Sequence, residues 1–184
     1  MDIAVLDFLN SIIPISENLK IRLDSILRTA EFKKKTVLLK EGQLSNYIYF
    51  IESGLMRIYY IKEDKEICSG LICEGGLAIS VKSFFNREKS DEFIETIEDT
   101  RAQYISFEEL ERLYADFPEF NIVGRKLITD YYVMSEERNF LLRKQTAQEK
   151  FQFFQKHFGH LTSRVQRKDI ASYIGINLET LSRL

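Results

Sequence analysis

The chain has 184 residues, of which 45% are apolar and 29% are charged, so it can bury a hydrophobic core and remain soluble. Its longest apolar runs, such as residues 47–51, are far shorter than the ~20 residues that a membrane-spanning helix needs. The N-terminus, residues 1–4, carries no basic leader, and 2 cysteines are too few for a disulfide framework. We therefore expect a cytoplasmic protein with no membrane partner.

The net charge of −2 conceals an uneven distribution along the chain. Residues 1–137 hold 17 basic and 25 acidic side chains, whereas residues 138–184 hold 9 basic and 3 acidic ones. A basic segment that follows an acidic body favours a nucleic-acid partner. Two differently charged faces with no partner would give the same numbers, so charge alone leaves both interpretations open.

The predicted elements begin with a helix and continue as strands. Ser16 is a candidate helix cap, because apolar residues then recur at three- and four-residue steps through Leu27. From Thr36 onward, short runs rich in β-branched and aromatic residues are separated by turn signals. These runs lie at residues 37–39, 47–51, 55–61, 67–73, 93–97 and 101–105. Strands this close together, without helices between them, predict an α+β protein with an antiparallel double-stranded β-helix, or jelly roll.

Helices return at Ser106, which forms a predicted capping box with Glu109 and opens a helix that stops near Pro118. A long helix is predicted from there to Gln145. One of its faces is an apolar stripe that comprises Phe120, Val123, Leu127, Tyr131, Met134 and Leu141. The opposite side carries Ile122, Ile128, Tyr132 and Val133. A helix that is apolar on two sides must be covered twice, which favours a homodimer helix over a core helix in a chain this short.

A second capping box, Thr146 with Glu149, opens a helix that ends near Gly159. We therefore predict a sensor domain over residues 1–116, a dimerisation helix over 117–145 and a DNA-binding domain over 146–184. No Gly/Ser linker separates them, so the domains should move as hinged rigid bodies.

Residues 166–184 match the requirements of a helix-turn-helix. Such a motif needs a small residue where its helices cross, a glycine that turns the chain, and an apolar residue that seats the second helix. Ala171, Gly175 and Leu181 have these properties, and Asn177 is the candidate cap of the second helix. Any small αα-hairpin with a glycine turn would show a similar pattern, but the basic charge around this one favours DNA binding.

The second helix of this motif presents polar side chains that suit base recognition, namely Glu179, Thr180, Ser182 and Arg183. An arginine can donate twice to guanine, and a glutamate can accept from cytosine. Glu179 and Arg183 could equally form a surface ion pair, and the two roles are compatible. The candidate phosphate contacts are Arg164, Arg167 and Lys168. Because the sequence stops at Leu184, barely two turns into this helix, we expect further residues to follow it.

The order of these parts resembles the Crp/Fnr family of transcription regulators over nearly the whole chain. In the sensor half the resemblance rests on residues 39–42, 47–57 and 94–100, and in the DNA half on residues 168–175 and 179–183. It implies a cyclic-nucleotide-binding β-roll, a winged helix and a homodimer on palindromic double-stranded DNA. It also implies Glu179 and Arg183 as the base-reading pair, and RNA polymerase as a further partner. The family often has an arginine where Leu178 stands, so one base contact is expected to be lost.

The effector pocket departs from the family pattern. Members that bind cyclic AMP use a Gly-Glu pair and an arginine about a dozen residues later. These positions align with Ile79 and Ser80, and with Asp91 or Glu92. Isoleucine blocks the close approach that glycine permits, and a carboxylate repels phosphate. We therefore predict no cyclic-AMP binding and no cofactor, although Arg87 and Lys89 could serve a different anion.

The cysteines and histidines are the candidate reactive or metal-binding residues. Cys68 and Cys73 lie five residues apart on a predicted strand, so they should point to opposite faces and act as buried strand residues. A jelly-roll metalloenzyme needs several histidines on strands. The chain has only His157 and His160, both beyond the strands, so no enzyme is predicted. The rival to a transcription regulator is a signalling module that has the same sensor fold but does not bind DNA.

Overall fold

The computed structural model describes residues 5–144 and 146–184. The predicted leaderless N-terminus, residues 1–4, and the domain boundary at Gln145 lie outside the described residues. The elements in chain order are α1 (Val5–Ile12), α2 (Glu17–Ile26), β1 (Arg28–Phe32), β2 (Val37–Leu39), β3 (Tyr47–Ser53), β4 (Met56–Lys62), β5 (Lys65–Ile72), β6 (Leu77–Ala78), α3 (Val81–Asn86), β7 (Phe93–Thr96), β8 (Thr100–Ser106), α4 (Phe107–Asp116), α5 (Pro118–Lys144), α6 (Ala147–Phe158), a 3₁₀ turn (Gly159–Leu161), α7 (Arg167–Tyr173) and α8 (Leu178–Ser182).

The strands form two four-stranded sheets that face each other. Their orders are β1-β8-β3-β6 and β2-β7-β4-β5, and every recorded pairing is antiparallel. Alternate residues of each strand point into the space between the sheets, where Ile51, Met56 and Ile94 are fully buried. The predicted jelly roll is therefore confirmed.

Helices cover the outer face of the first sheet. Leu19 and Leu23 of α2, Leu113 of α4 and Val123 of α5 pack there with Phe84 of α3, and each is at most 2% exposed. The three predicted helix starts are confirmed. The Ser16 hydroxyl accepts from the Leu19 amide at 3.2 Å, and the capping boxes at Ser106 and Thr146 are both complete.

The structure also contains four elements that the sequence pattern did not predict: α1, β1, β6 and α3. β1 and β6 lack the apolar alternation of the other strands, since β1 reads Arg-Thr-Ala-Glu-Phe and β6 has only two residues. Their strand conformation comes from pairing with β8 and β3. Tertiary contacts, rather than local preference, thus complete the first sheet.

Candidate DNA-binding surface and sensor pocket

Helices α7 and α8 form a compact helix-turn-helix. Ala171 and Leu181 are 2% and 1% exposed, and Ile170 and Ile174 are buried between the helices with them. Gly175 in the turn has a φ of 66°, a left-handed conformation that glycine adopts without strain. A Cβ at this position would lie 2.8 Å from the Leu142 side chain of α5, so the turn also lies directly against the end of the long helix. All three residues predicted for the motif core lie where the motif requires them.

The side chains predicted to read bases lie on the outer surface of α8. Glu179, Ser182 and Arg183 are exposed, and Thr180 is half-buried in a cleft that also includes Ile67 of β5. Glu179 and Arg183 form no ion pair with each other in the described part of the chain, so both remain directed to solvent. Asn177 occupies the cap position, but its side chain makes no capping hydrogen bond.

The three predicted phosphate contacts have hydrogen-bond or ion-pair partners within the protein. Arg164 donates to Glu74 at 2.7 Å and to Glu98 at 2.6 Å, both on the β-roll. Lys168 forms an ion pair with Glu66 of β5 at 3.3 Å. Arg167 is exposed and donates to the carbonyl of Leu181 at 2.7 Å, which ties α7 to the end of α8. Some of the basic side chains near the C-terminal end of the chain thus form ion pairs with acidic side chains of the β-roll.

A second ionic cluster joins α7 to the second sheet. Arg57 of β4 is 7% exposed and binds Glu95 at 2.6 Å, Glu66 at 2.9 Å and Asp169 of α7 at 3.1 Å. Burial opposes its charge, but the hydrogen bonds to Glu66 and Glu95 raise the pKa of Arg57 above its ordinary value. The hydrogen bond from Arg57 likewise lowers the pKa of Glu66. Sequence reasoning missed this cluster, because nothing local connects positions 57 and 169.

Direct polar contacts and apolar packing reinforce this docking. The Ser172 hydroxyl accepts from the Cys68 amide of β5 at 2.8 Å. Arg138 of α5 donates to the Ser69 carbonyl of β5 at 2.6 Å and to the Tyr173 carbonyl at 3.3 Å. One apolar cluster combines residues of the roll with residues of α6, α7 and α8. Its buried members are Leu55, Cys68, Leu71, Phe154, Leu161, Val165, Ile170, Ala171, Ile174 and Leu181.

The predicted effector pocket is occupied by the protein's own side chains. The Ser80 hydroxyl donates to Glu92 at 3.0 Å and lies 3.0 Å from the Ser90 hydroxyl, and Ser69 donates to the other carboxylate oxygen of Glu92 at 3.3 Å. Ser80 and Ser90 are each 2% exposed. This network puts a carboxylate where an anionic ligand would need a cation. The network includes Ser90, which the sequence did not predict because this residue precedes the two aligned positions, Asp91 and Glu92.

The four predicted pocket residues do not all join this network. Asp91 is exposed and forms an ion pair with Lys82 at 3.4 Å, so of the two aligned carboxylates only Glu92 joins the network. Ile79 packs into the core between the first sheet and the helices. Its neighbour Ala78 points between the sheets, and strand alternation directs Ile79 to the opposite side.

The two cations near the predicted pocket differ in their surroundings. The Arg87 guanidinium lies 4.3 Å from the Phe107 ring and donates to the carbonyls of Ser45 and Phe84. Lys89 is exposed beside the bridge that it forms with Leu44. Arg87 therefore holds the end of α3 in place.

A cleft of about 410 Å³ opens between the sheets on the side of β2 and β3. Apolar side chains, two tyrosines and short polar groups line it: Leu38, Leu39, Gln43, Leu44, Ser45, Asn46, Tyr47, Tyr49 and Ile94. Burial raises the pKa of Tyr49 to about 12, and the nearby phenols of Tyr104 and Tyr47 add to this. The lining contains no ionisable cation that could pair with a phosphate. Sequence reasoning did not single out this cleft.

Known proteins are similar to this chain both in sequence and in structure. The model of the family "Cyclic nucleotide-binding domain" matches residues 29–117, which span the β-roll and α4. The Anaerobic regulatory protein of Pasteurella multocida is 26% identical over 175 residues, covering 89% of this chain and 64% of that protein. The Fumarate and nitrate reduction regulatory protein of Escherichia coli is 28% identical over 177 residues, covering 89% of this chain and 70% of that protein. The structure of FixK2 from Bradyrhizobium japonicum superposes with a TM-score of 0.73 at 21% identity, covering 86% of this chain and 82% of that one.

The chain is similar to transcription regulators of the Crp/Fnr type. The matches extend across the roll, the long helix and the helix-turn-helix, in the order that the sequence predicted. The chain spans about two thirds of the length of the curated relatives that it matches. None of the helices in the described residues is long and apolar enough to cross a membrane.

The apolar residues of the long helix α5 are buried to different degrees in the single chain. Phe120 and Val123, which belong to the predicted apolar stripe, are 5% and 0% exposed and pack into the protomer's own core. Leu127 packs against the same core, whereas Tyr131 and Met134 remain 58% and 56% exposed. The opposite side of the helix is largely uncovered. Its exposed members are Ile122, Ile128, Tyr132 and Val133.

The two cysteines of the chain do not point to opposite faces. Cys68 is 1% exposed, and Cys73 packs partly against the same apolar cluster, with its sulfur 3.6 Å from His160 Nε2. A β-bulge explains the difference, because Ile58 pairs with Gly70 while Tyr59 pairs with Cys68, leaving Ser69 as an extra residue. Burial raises the pKa of Cys68 to about 12 and also raises that of Cys73, so both favour the thiol form. The described residues contain no group of three side chains that could hold a metal ion.

Proposed function

We propose that this chain is a transcription regulator that binds double-stranded DNA as a homodimer. The observation that carries the proposal is the helix-turn-helix, which has a buried Ala171 and Leu181 and a left-handed Gly175. Its second helix presents Glu179, Ser182 and Arg183 to solvent. An exposed polar face of this kind suits base recognition in the major groove. The names of the relatives, an anaerobic regulatory protein among them, agree with this function.

A gel-shift titration on the region upstream of the chain's own gene, at two salt concentrations, tests DNA recognition. Specific binding should exceed binding to random DNA of equal length, and the affinity should fall as salt rises. Arg183→Ala should reduce the preference for the specific site by about 1–3 kcal/mol. Lys156→Ala removes one positive charge from an exposed position of α6 and is the matched control. Equal binding to both DNAs would contradict the proposal and favour a signalling module that does not bind DNA.

The homodimer would form through α5. Its exposed apolar side chains, Ile128, Tyr131, Tyr132 and Met134, are each 56–62% exposed in the single chain. Large apolar side chains grouped on one helix are commonly covered by a partner. Two copies related by a twofold axis would place two recognition helices on half-sites about one DNA turn apart, which matches a palindromic operator.

We further propose that the sensor does not respond to cyclic AMP. Glu92, held by Ser69 and Ser80, puts a negative charge at the position where a cyclic phosphate would need a cation. Calorimetric titration with cyclic AMP and with cyclic GMP should show no heat of binding. Micromolar binding of either nucleotide would contradict the proposal.

A further inference from the structure

The helix-turn-helix is held against the acidic sensor by its own cations. The Arg164 side chain is only 26% exposed, because Glu74, Glu98 and the Gly54 carbonyl surround its guanidinium. The bonds to Glu98 are made from both Nε and Nη2, at 3.1 Å and 2.6 Å, and those to Glu74 from Nη1 and Nη2, at 2.9 Å and 2.7 Å. Arginine and carboxylate groups in this paired geometry bind more strongly than single contacts.

A second cation of the motif is held in the same way. Lys168, near the start of α7, pairs with Glu66 at 3.3 Å, and Glu66 also accepts from Arg57. On the sensor side, Leu55, Cys68 and Leu71 supply buried members of the apolar cluster that the two parts share. The ion pairs add to this apolar packing and fix the position of the motif on the sensor.

The position of these carboxylates opposes DNA binding. A phosphate that approached Arg164 or Lys168 in this arrangement would meet Glu66, Glu74 and Glu98 at the same cations. Like charges at such short range repel, and the phosphate must displace a carboxylate before it can pair. The docked arrangement is thus one in which the basic end of the chain is neutralised by its acidic body.

We propose that Arg164 with Glu74 and Glu98, together with Lys168 and Glu66, forms a latch that holds the helix-turn-helix in a docked position of low DNA affinity. This inference rests on the proposed DNA-binding function. Release of the latch would free two cations for phosphate and allow the motif to leave the sensor surface. An effector or a DNA site would then act by shifting the balance between docked and released forms.

The test is the double variant Glu74→Gln with Glu98→Gln, which keeps side-chain size but removes both charges and one acceptor oxygen from each side chain. Hydrogen exchange of the Cys68 amide reports docking, because that amide donates to Ser172 only when α7 lies on β5. We expect its exchange to become about tenfold faster, and the affinity for both specific and random DNA to rise about three- to tenfold, since each partly exposed pair contributes modestly.

The matched control is Glu41→Gln with Glu63→Gln, which removes the same charge from two exposed turn positions of the sensor. It should leave the Cys68 exchange rate unchanged and alter DNA affinity by less than twofold. Wild-type exchange in the Glu74/Glu98 variant would overturn the latch, and faster exchange with unchanged or weaker DNA binding would overturn its inhibitory role. If no form of the protein prefers its site over random DNA, the proposed function fails, while the exchange rates still decide whether the latch exists.

Discussion

Arg57 shows how a single buried cation can organise the contact between two parts of a chain. Its guanidinium lies 4.2 Å from the Tyr59 ring and binds carboxylates from β5, β7 and α7. The folded arrangement of three carboxylates around one cation is stable only while that cation is present. Without it, each carboxylate would carry an uncompensated charge. The residue is therefore a point of high sensitivity to substitution.

Replacing Arg57 with glutamine should lower the free energy of unfolding by about 3 kcal/mol, since Glu66, Glu95 and Asp169 lose their shared counter-ion. Urea denaturation followed by circular dichroism measures the loss. Arg112→Gln, at an exposed position of α4, is the control and should change stability by less than about 0.5 kcal/mol. A loss below about 1 kcal/mol at Arg57 would mean that water already screens the cluster.

Glu74 makes the docked arrangement sensitive to acid. Hydrogen bonds from Arg164 lower the pKa of Glu74 from its ordinary 4.5 to about 2. Because this pKa is lower in the folded than in the unfolded state, ionised Glu74 stabilises the folded state above pH 4.5. This stabilisation is lost as the pH falls from 4.5 toward 2. The protection factor of the Cys68 amide, which takes account of the pH dependence of intrinsic exchange, should therefore fall over that interval. Glu74→Gln should show fast exchange already at pH 6 and a weaker response to acid, whereas an unchanged profile would exclude Glu74 as its origin.

At the scale of the element, α5 combines two roles along 27 residues. Its first turns complete the core of the sensor, and its middle presents large apolar side chains to solvent. Substitutions along one helix should therefore separate folding from association.

Ile128→Glu with Tyr132→Glu should convert the proposed dimer to a monomer and leave the fold intact, because both side chains are more than half exposed in the single chain. Val123→Ala should do the opposite, lowering the unfolding free energy by about 1–3 kcal/mol through a core cavity while association is kept. Sedimentation velocity and urea denaturation provide the two readouts. A monomeric wild type would remove the basis of the dimer proposal.

The turn between α7 and α8 is a further test at this scale. Gly175→Ala places a Cβ on a residue with φ of 66° and within 2.8 Å of the Leu142 side chain, so it should destabilise the chain by about 1–2 kcal/mol. Gly159→Ala is the matched control, because its backbone is helical and its Cβ would meet nothing within 4 Å. Thermal unfolding should show a lower midpoint for the first variant and an equal or higher one for the second.

Local patterns predicted most of the elements and the motif core, because capping boxes, strand alternation and glycine turns act over a few residues. Three features required contacts between distant parts of the chain. The bulge at Ser69 places both cysteines on the same side of the strand. Contact with the sensor buries Phe120 and Val123 of α5 rather than Ile122. Glu74 and Glu98 form ion pairs with Arg164. The spacing of residues along the sequence does not predict any of these three contacts. An interpretation based on local motifs therefore assigns such residues to the wrong partner.

At the scale of the whole molecule, the apolar cluster around Phe154 and Leu71 joins sensor and helix-turn-helix into one cooperative body. Phe154, Leu161 and Ile170, which follow the long helix, are each at most 1% exposed and are buried in this cluster together with Leu55 and Leu71 of the sensor. Their burial therefore depends on the sensor surface against which they pack.

We accordingly expect one thermal transition for this 184-residue chain, with equal calorimetric and van't Hoff enthalpies. Phe154→Ala should lower the unfolding free energy by about 3–5 kcal/mol without dividing the transition, since the side chain is fully buried in the shared cluster. Differential scanning calorimetry measures both quantities. Two separate transitions in the wild type would show that the parts fold independently.

The position of β5 at the margin of its sheet has a consequence for solubility. Two of its backbone groups are satisfied by side chains, with Ser172 accepting from the Cys68 amide and Arg138 donating to the Ser69 carbonyl. When the helix-turn-helix leaves, an unpaired strand edge faces solvent, and such edges invite pairing with a second chain. The form that is free to bind DNA is therefore also the form most exposed to aggregation, which sets a physical limit on how long it can persist without its DNA.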